Sequence, residues 1–351
     1  MTIEMLPSDL SSAELLAKMI GRRPQTKLED GKGLIRVNAA TGTPYLQAPQ
    51  GVTINSMLRE DEWVEVDRAV IEAARYPLRA VQDLRSRGLT VRLGGLGTLM
   101  SHWYTRSEMT AASVSMSGQG GGPRDLPDMD QNGVPVPVVW KDFSIDVRTL
   151  EASRRMGDGL DVTAALEATR VVAETLESMV VNGASVKLNG VALYGYTTHP
   201  DRNTDTAANY GGGDWGTISN VVPTVAGMIN AANGDSHYGP FALYVSQTQY
   251  NQAALSYYTD GSGQTALDRI SKMPAIASVS LLPSSTLADG VVLLVQMTRE
   301  TVEWAEALDI QVREWTSGDG MASHYKVLAV AAPRVKSRYD GKSGIVHATA
   351  A

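Results

Sequence analysis

The sequence predicts an α+β protein built on one long helix, and three observations predict it. The first is the stretch from Asp161 to Gly183, DVTAALEATRVVAETLESMVVNG, whose apolar residues recur every three to four positions. The second is a segment over 90–137 with strand-like arms and a tip dense in Gly, Pro and Asp. The third is an alternation of helical and strand-like patterns over about 217–297, the mark of a compact α/β or α+β lobe.

On a 3.6-residue wheel, Val162, Ala165, Leu166, Thr169, Val172, Ala173, Leu176, Met179 and Val180 form one stripe. Leu166, Val172, Leu176 and Val180 are its expected core. Glu167, Arg170, Glu174 and Glu177 fall elsewhere, on a face expected to stay wet or meet a polar partner. Asp161 is a candidate N-cap, and Asn182-Gly183 supplies the left-handed stop. About 20 residues at a 1.5 Å rise make a rod of roughly 30 Å.

Composition bounds the rest. A chain of 351 residues usually holds more than one core, so two domains or one domain with large excursions are expected. The chain has no cysteine, which excludes disulfides, thiolate nucleophiles and cysteine-ligated metal. The net charge of −7 argues against a sequence-reading nucleic-acid binder but not against a wall that encloses nucleic acid. No run approaches the ~18 apolar residues of a membrane span. The start, MTIEMLPSDLSS, lacks a basic-then-apolar signal pattern, so a cytoplasmic origin and no membrane partner are expected.

Residues 1–58 read as an arm. Ser11-x-x-Glu14 is a capping-box pattern, Leu15, Leu16, Met19 and Ile20 make one apolar face, and Gly21 ends it. The Gly- and Pro-rich continuation has too few apolar residues to fold alone, leaving a disordered tail or an arm ordered by neighbouring subunits. Residues 59–89 read as a helical segment: Trp63, Val66, Val70, Ile71 and Ala74 recur at helical spacing, Pro77 interrupts, and Arg87-Gly88 closes it. VPVVWKDFSIDVRTL then reads as a strand with Phe143, Ile145 and Val147 on one face. In ISNVVPTVAGMINAAN, a helix, Pro223 is expected in the first turn. VEWAEALDIQVREW, HYKVLAVAAPRVKS and SGIVHATA return the chain to strands, so the lobes are discontinuous.

No constellation points to catalysis or metal. Asp128-x-Asp130-x-Asn132-Gly133 opens like a calcium loop, but Val139 stands where the closing Glu belongs, so a turn within the hairpin is expected. Asp201-x-Asn203-x-Asp205 is weaker still. Gly94-Gly95-x-Gly97 fits no phosphate cradle and reads as a hinge at the hairpin base. His102, His199, His237, His324 and His347 lie far apart, and no Gly-x-Ser-x-Gly elbow is present.

Four features stand in one order: the arm, the Gly-tipped hairpin followed by Ile145-Asp146-Val147-Arg148, the long helix ending Val181-Asn182-Gly183 before Leu193-Tyr194-Gly195, and a closing segment with Pro333, Tyr339, Asp340, Gly341 and Ile345. This order resembles the major capsid proteins of tailed phages with the Hong Kong 97 fold, and their cellular relatives the encapsulins. The resemblance covers roughly 59–351. It implies a Hong Kong 97-type capsid fold with a spine helix at 161–182 and an extended loop at 90–140. It places a peripheral domain at 141–200 plus 291–351, and an axial domain at 201–290.

The function so implied is structural. Copies form pentamers and hexamers of an icosahedral shell around double-stranded DNA, touched weakly and without sequence preference. Portal, scaffolding and decoration proteins are the further partners, the virion capsid is the location, and the bacterial host cytoplasm is the place of assembly. No cofactor is expected. Trp103, Tyr104 and Arg106 on the hairpin arm, Arg124 and Asp125 at its tip, and Leu15 and Met19 in the arm are the candidate subunit contacts, because aromatics and Arg anchor interfaces. Packing on the chain's own surface is the alternative for the first three. Some relatives seal the shell by a Lys–Asn isopeptide bond, but residues 118–135 hold no Lys, so no cross-link is expected. An encapsulin compartment is the nearest alternative. An enzyme with a lid at 90–140 is the remoter one, since Arg124 is the tip's only candidate catalytic group.

Overall fold

The structure, a computed structural model, describes residues 35–37, 44–46, 79–117, 121–122, 124–148, 162–258, 263–316 and 321–349, with positions 66, 68, 70, 151 and 155. Leu15, Met19, Trp63 and Asp161 lie outside the described residues. The chain divides into two units, Met1–Met57 and Leu58–Ala351. In the first, β1 (Ile35–Val37) and β2 (Pro44–Leu46) pair antiparallel.

In the second unit the order is α1 (Arg79–Ser86), β3 (Thr90–Arg92), β4 (Met100–Arg106), β5 (Met129–Pro135), β6 (Val138–Asp146) and α2 (Thr163–Asn182). Then come β7 (Ala184–Leu188), β8 (Val191–Leu193), β9 (Asn203–Thr206), α3 (Ile218–Gly234), β10 (Phe241–Ser246), α4 (Gln247–Leu255) and α5 (Ala266–Ser271). Four strands close it: β11 (Ile276–Leu282), β12 (Val291–Gln296), β13 (Val302–Thr316) and β14 (Ala322–Val335), with β15 (Ile345–Thr349) as a short fifth.

Two sheets carry the unit. The four-stranded sheet runs β3-β13-β14-β6, with Phe143 and Ile145 of β6 on the more buried face. Tyr325 stacks on Phe143 at 5.0 Å, and α2 packs against β6 and β14. The five-stranded sheet runs β11-β10-β12-β15-β9. Its inner strand β10 is buried along its whole length, because each face meets a different core. Phe241, Leu243 and Val245 join the apolar faces of α3, α4 and α5. Ala242 and Tyr244 join the core of α1, α2 and the four-stranded sheet. A strand enclosed on both faces reads as a continuous apolar run, as FALYV does.

Several local expectations change. Val291–Gln296 and Ile345–Thr349, assigned by the resemblance to the peripheral domain, lie in the five-stranded sheet, the first paired with β10 and the second with the first. Their apolar residues Val292, Leu294, Val346 and Ala348 face the α3–α5 core, which a peripheral placement would strip of cover. Thr90–Arg92 pairs in parallel with Trp304–Glu306 and not with the hairpin. Asp130 and Asn132 lie within β5, so the half calcium loop is strand and not turn. Pro223 is the sixth residue of α3, a turn deeper than expected. Helix α2 starts after Val162, which makes no side-chain cap. A cap the sequence reading missed sits at α5, where Thr265 Oγ1 accepts from Asp268 N at 3.1 Å and the Asp268 carboxylate accepts from Thr265 N at 3.1 Å.

Candidate assembly surface

The spine helix α2 buries Ala165, Thr169, Ala173, Glu177 and Val181 along one i,i+4 row, beside Val172, Leu176, Met179 and Val180. Leu166 is half-buried. Glu177 takes the second of the two expectations for its face and meets a polar partner: it is 1% exposed, and its carboxylate accepts from Ala80 N at 2.6 Å and Val81 N at 3.3 Å. Those two amides are orphan donors of the first turn of α1. The local wheel missed Glu177 because it ranks side chains by polarity. The signal was the row itself, in which Ala173 and Val181 flank it.

The C-terminal end of α2 joins the two short motifs into one device. Gly183, at φ +75°, donates its N–H to Met179 O at 2.9 Å, and the β7–β8 hairpin turns the chain back. Tyr196 N then donates to Val180 O at 3.0 Å and Thr197 N to Val181 O at 2.8 Å. Thr198 Oγ1 donates to Asn182 O at 3.0 Å, so the returning chain satisfies carbonyls that a helix end leaves bare. Asn182 reaches the other lobe, donating to Thr286 O at 2.6 Å. A Cβ at Gly195 would stand 2.3 Å from Gly183 N and 2.6 Å from Val181 O. Gly-Gly contact is what lets backbone meet backbone.

The hairpin pairs Met100–Arg106 with Met129–Pro135. Its base belongs to the core: Val134 and Val136 are buried, and the Arg334 guanidinium lies 5.1 Å from the Trp103 ring centre while donating to His102 O at 2.6 Å. Arg334 is paired to Glu303 at 2.9 Å, and Lys336 to the same carboxylate oxygen at 2.7 Å. Burial lowers the proton affinity of both cations, with Glu303 opposing it. Trp103 therefore packs against its own chain. Tyr104, Arg106 and Arg124 are exposed, and Asp125 accepts from Thr110 N at 2.6 Å, a bond that holds its carboxyl below the usual range. Between Ser107 and Asp128 the described residues form no helix or strand, and Val114, Met116 and Leu126 stand almost wholly in solvent.

Two more surfaces flank the spine helix. Glu167, Arg170 and Glu174 form an exposed ladder with N···O distances of 2.6 and 3.2 Å. Beside it, a groove of about 530 Å³ lies between Val171, Thr175 and Ser178 of α2 and Pro137 and Trp140 at the start of β6. On the solvent face of the four-stranded sheet, Lys326 Nζ sits 5.6 Å from Trp140 and 5.5 Å from Trp315. Among the described residues no three His, Asp or Glu side chains gather in a metal-holding group. His347, within reach of Arg202 Nε at 3.2 Å, has its pKa pushed down to about 4 by burial and then by that cation.

A spine helix on a four-stranded sheet, a long hairpin leaving its base and a second sheet with helices on one face make up a Hong Kong 97-type fold. The virus-like particle protein of Pyrococcus furiosus superposes with a TM-score of 0.58 at 14% identity, over 82% of this chain and 98% of that one. The capsid protein of Myoviridae phage XM1 gives 0.57 at 14%, over 76% and 91%. The type 1 encapsulin shell protein EncA of Myxococcus xanthus is 24% identical over 279 residues, 80% of this chain and 90% of its own. The chain itself belongs to the family of unknown function DUF6260, which it matches over residues 52–348.

Proposed function

We propose that the chain is a shell-forming structural protein whose copies assemble into a closed particle. The hairpin carries this reading. Val114, Met116 and Leu126 are exposed on a segment with no core of its own, and an isolated two-stranded ribbon is marginal in water. Laid across a second copy, the ribbon loses that exposure, and closed symmetry repeats the contact at every subunit. Tyr104, Arg106, Arg124 and Asp125 are the contacts this arrangement assigns to the hairpin, with Leu15 and Met19 assigned to the arm. The five-stranded sheet with α3–α5 serves as the axial domain, and the four-stranded sheet with the spine helix as the peripheral one.

Within that class we read the chain as a phage-type major capsid protein enclosing double-stranded DNA, with portal, scaffolding and decoration proteins as partners, assembled in a bacterial cytoplasm. The 1–57 unit and the long hairpin favour it. The match to EncA favours an encapsulin compartment as the second reading. No catalytic role is assigned to the shell.

The test is the size of the expressed chain. Gel filtration and negative-stain electron microscopy should show closed particles, tubes or megadalton rings. The triple substitution Val114→Ser, Met116→Ser and Leu126→Ser should keep the circular dichroism of the wild type and reduce particle yield at least about tenfold, because exposed side chains contribute little to the fold. A wild type that stays monomeric or dimeric at every salt and concentration overturns the proposal. Particles that enclose DNA only beside a portal support the phage reading, and particles built around a co-expressed enzyme support the encapsulin one.

A further inference from the structure

Helix α1 is the joint of the unit, held to three bodies by amides and side chains spaced along its eight residues. Its N-terminal amides bond to Glu177 of the spine helix. Asp83 accepts from Tyr244 Oη at 2.9 Å and Ser280 Oγ at 3.4 Å, both on the five-stranded sheet. Arg85 pairs with Glu306 and Asp309 of β13, each at 2.9 Å, which ties the same helix to the four-stranded sheet.

The spine-helix tie is unlike the other two, because it is a buried carboxylate bonded to backbone amides. Among the described residues the titratable groups facing Glu177 are Asp83 from α1, Tyr196 from the segment that caps the spine helix, and Tyr244 from β10. Arg79 offers only its backbone amide. The Tyr196 hydroxyl is buried without a hydrogen-bond partner, and its ring stacks on Tyr244 with centres 6.1 Å apart. A charged Glu177 therefore sits beside the like charge of Asp83 with backbone amides as its compensation. Without its charge it keeps an oxygen for Ala80.

We propose that Glu177 is a proton-operated latch: carrying its proton it holds α1 tightly against the spine helix, and on losing it the junction of the two sheets loosens. Burial is the first cause acting on its proton affinity and Asp83 adds to it, against three backbone amides, and the result is a pKa pushed up to about 7. The sign follows. The folded chain binds a proton that the unfolded chain releases near pH 4.5, so the contribution of Glu177 to stability is complete below that pH and is lost as pH rises through 7. The latch operates within the range of ordinary cellular pH.

Hydrogen exchange and infrared titration of the full-length chain between pH 5.5 and 8.5 test this. The protection factors of Ala80 and Val81 should fall about tenfold or more between pH 5.5 and 7, level off above 7, and show no such fall in Glu177→Gln. The C=O band of a protonated carboxyl should vanish with a midpoint of about 7 in the wild type and in Glu306→Gln. That second variant is needed because burial also raises the proton affinity of Glu306. Should Glu177→Gln not fold, the wild type and Glu306→Gln decide. A carboxyl midpoint below about 5, or protection that ignores pH, overturns the latch, as does the same pH response in Glu177→Gln.

Discussion

Gly195→Ala is expected to cost about 3 kcal/mol or more, a fall in thermal midpoint of about 4 °C for a chain of this size. The added methyl would stand 2.3 Å from Gly183 N and 2.6 Å from Val181 O, and neither is the end of a flexible side chain. Relief requires the returning strand to lift off the spine helix. That movement breaks the bonds from Tyr196 N and Thr197 N to the last helical carbonyls and weakens the Thr198 bond to Asn182. Thermal scanning of the purified chain measures the loss, and hydrogen exchange should place the new exposure at Val180 to Thr198. A variant within about 1 kcal/mol of the wild type would mean that this cap is soft and that the two glycine motifs have no joint role.

Glu303→Leu is expected to cost about 3–5 kcal/mol, because it strands two buried cations. Arg334 and Lys336 share the Glu303 carboxylate at 2.9 and 2.7 Å, with side chains 7% and 14% exposed. Arg334→Met should cost less, since Lys336 still neutralises Glu303. Its signature is local: with the His102 bond and the cover over Trp103 gone, exchange at His102 to Tyr104 should rise at least about tenfold while the rest of the sheet keeps its protection. The double variant Glu303→Leu with Arg334→Met should recover at least about 1 kcal/mol of the single loss. Equal costs for the single and double variants would show that the desolvated charge of Arg334 is not what the carboxylate offsets.

The helices and strands were largely legible because their signals are local. The spine helix shows its period over twenty residues, and FALYVSQTQYNQAAL shows a buried strand running into a helix. The Hong Kong 97-type fold, inferred from the order of parts, is the one the chain has. What stayed hidden depends on partners far away in the chain. Val291–Gln296 looks the same whichever sheet it joins, and only pairing with Phe241–Ser246 assigns it. Thr90–Arg92 looked like the start of the hairpin because nothing near it names Trp304. For Glu177 the choice between solvent and a polar partner stayed open, since its burial rests on amides almost a hundred residues earlier. Trp103 carried the right residue type for an interface, and the Arg334 that covers it comes from the far end of the chain.

The place of β15 carries a consequence for the order in which the protein comes into being. Val346 to Thr349 pair with Asn203 to Thr206 on one side, and Ile345 to Thr349 with Val295 to Val291 on the other. This segment, made after every other strand described, is thus an inner strand of a sheet whose first member lies far earlier in the chain. While the ribosome is still working, β9 has no neighbour in its sheet, β12 has an open edge and the α3–α5 core lacks Val346 and Ala348. Contacts of such long sequence separation form late and slowly. The lobe closes only after residue 349 has been made, so a chain broken off in translation lacks a finished lobe with which to join its neighbours.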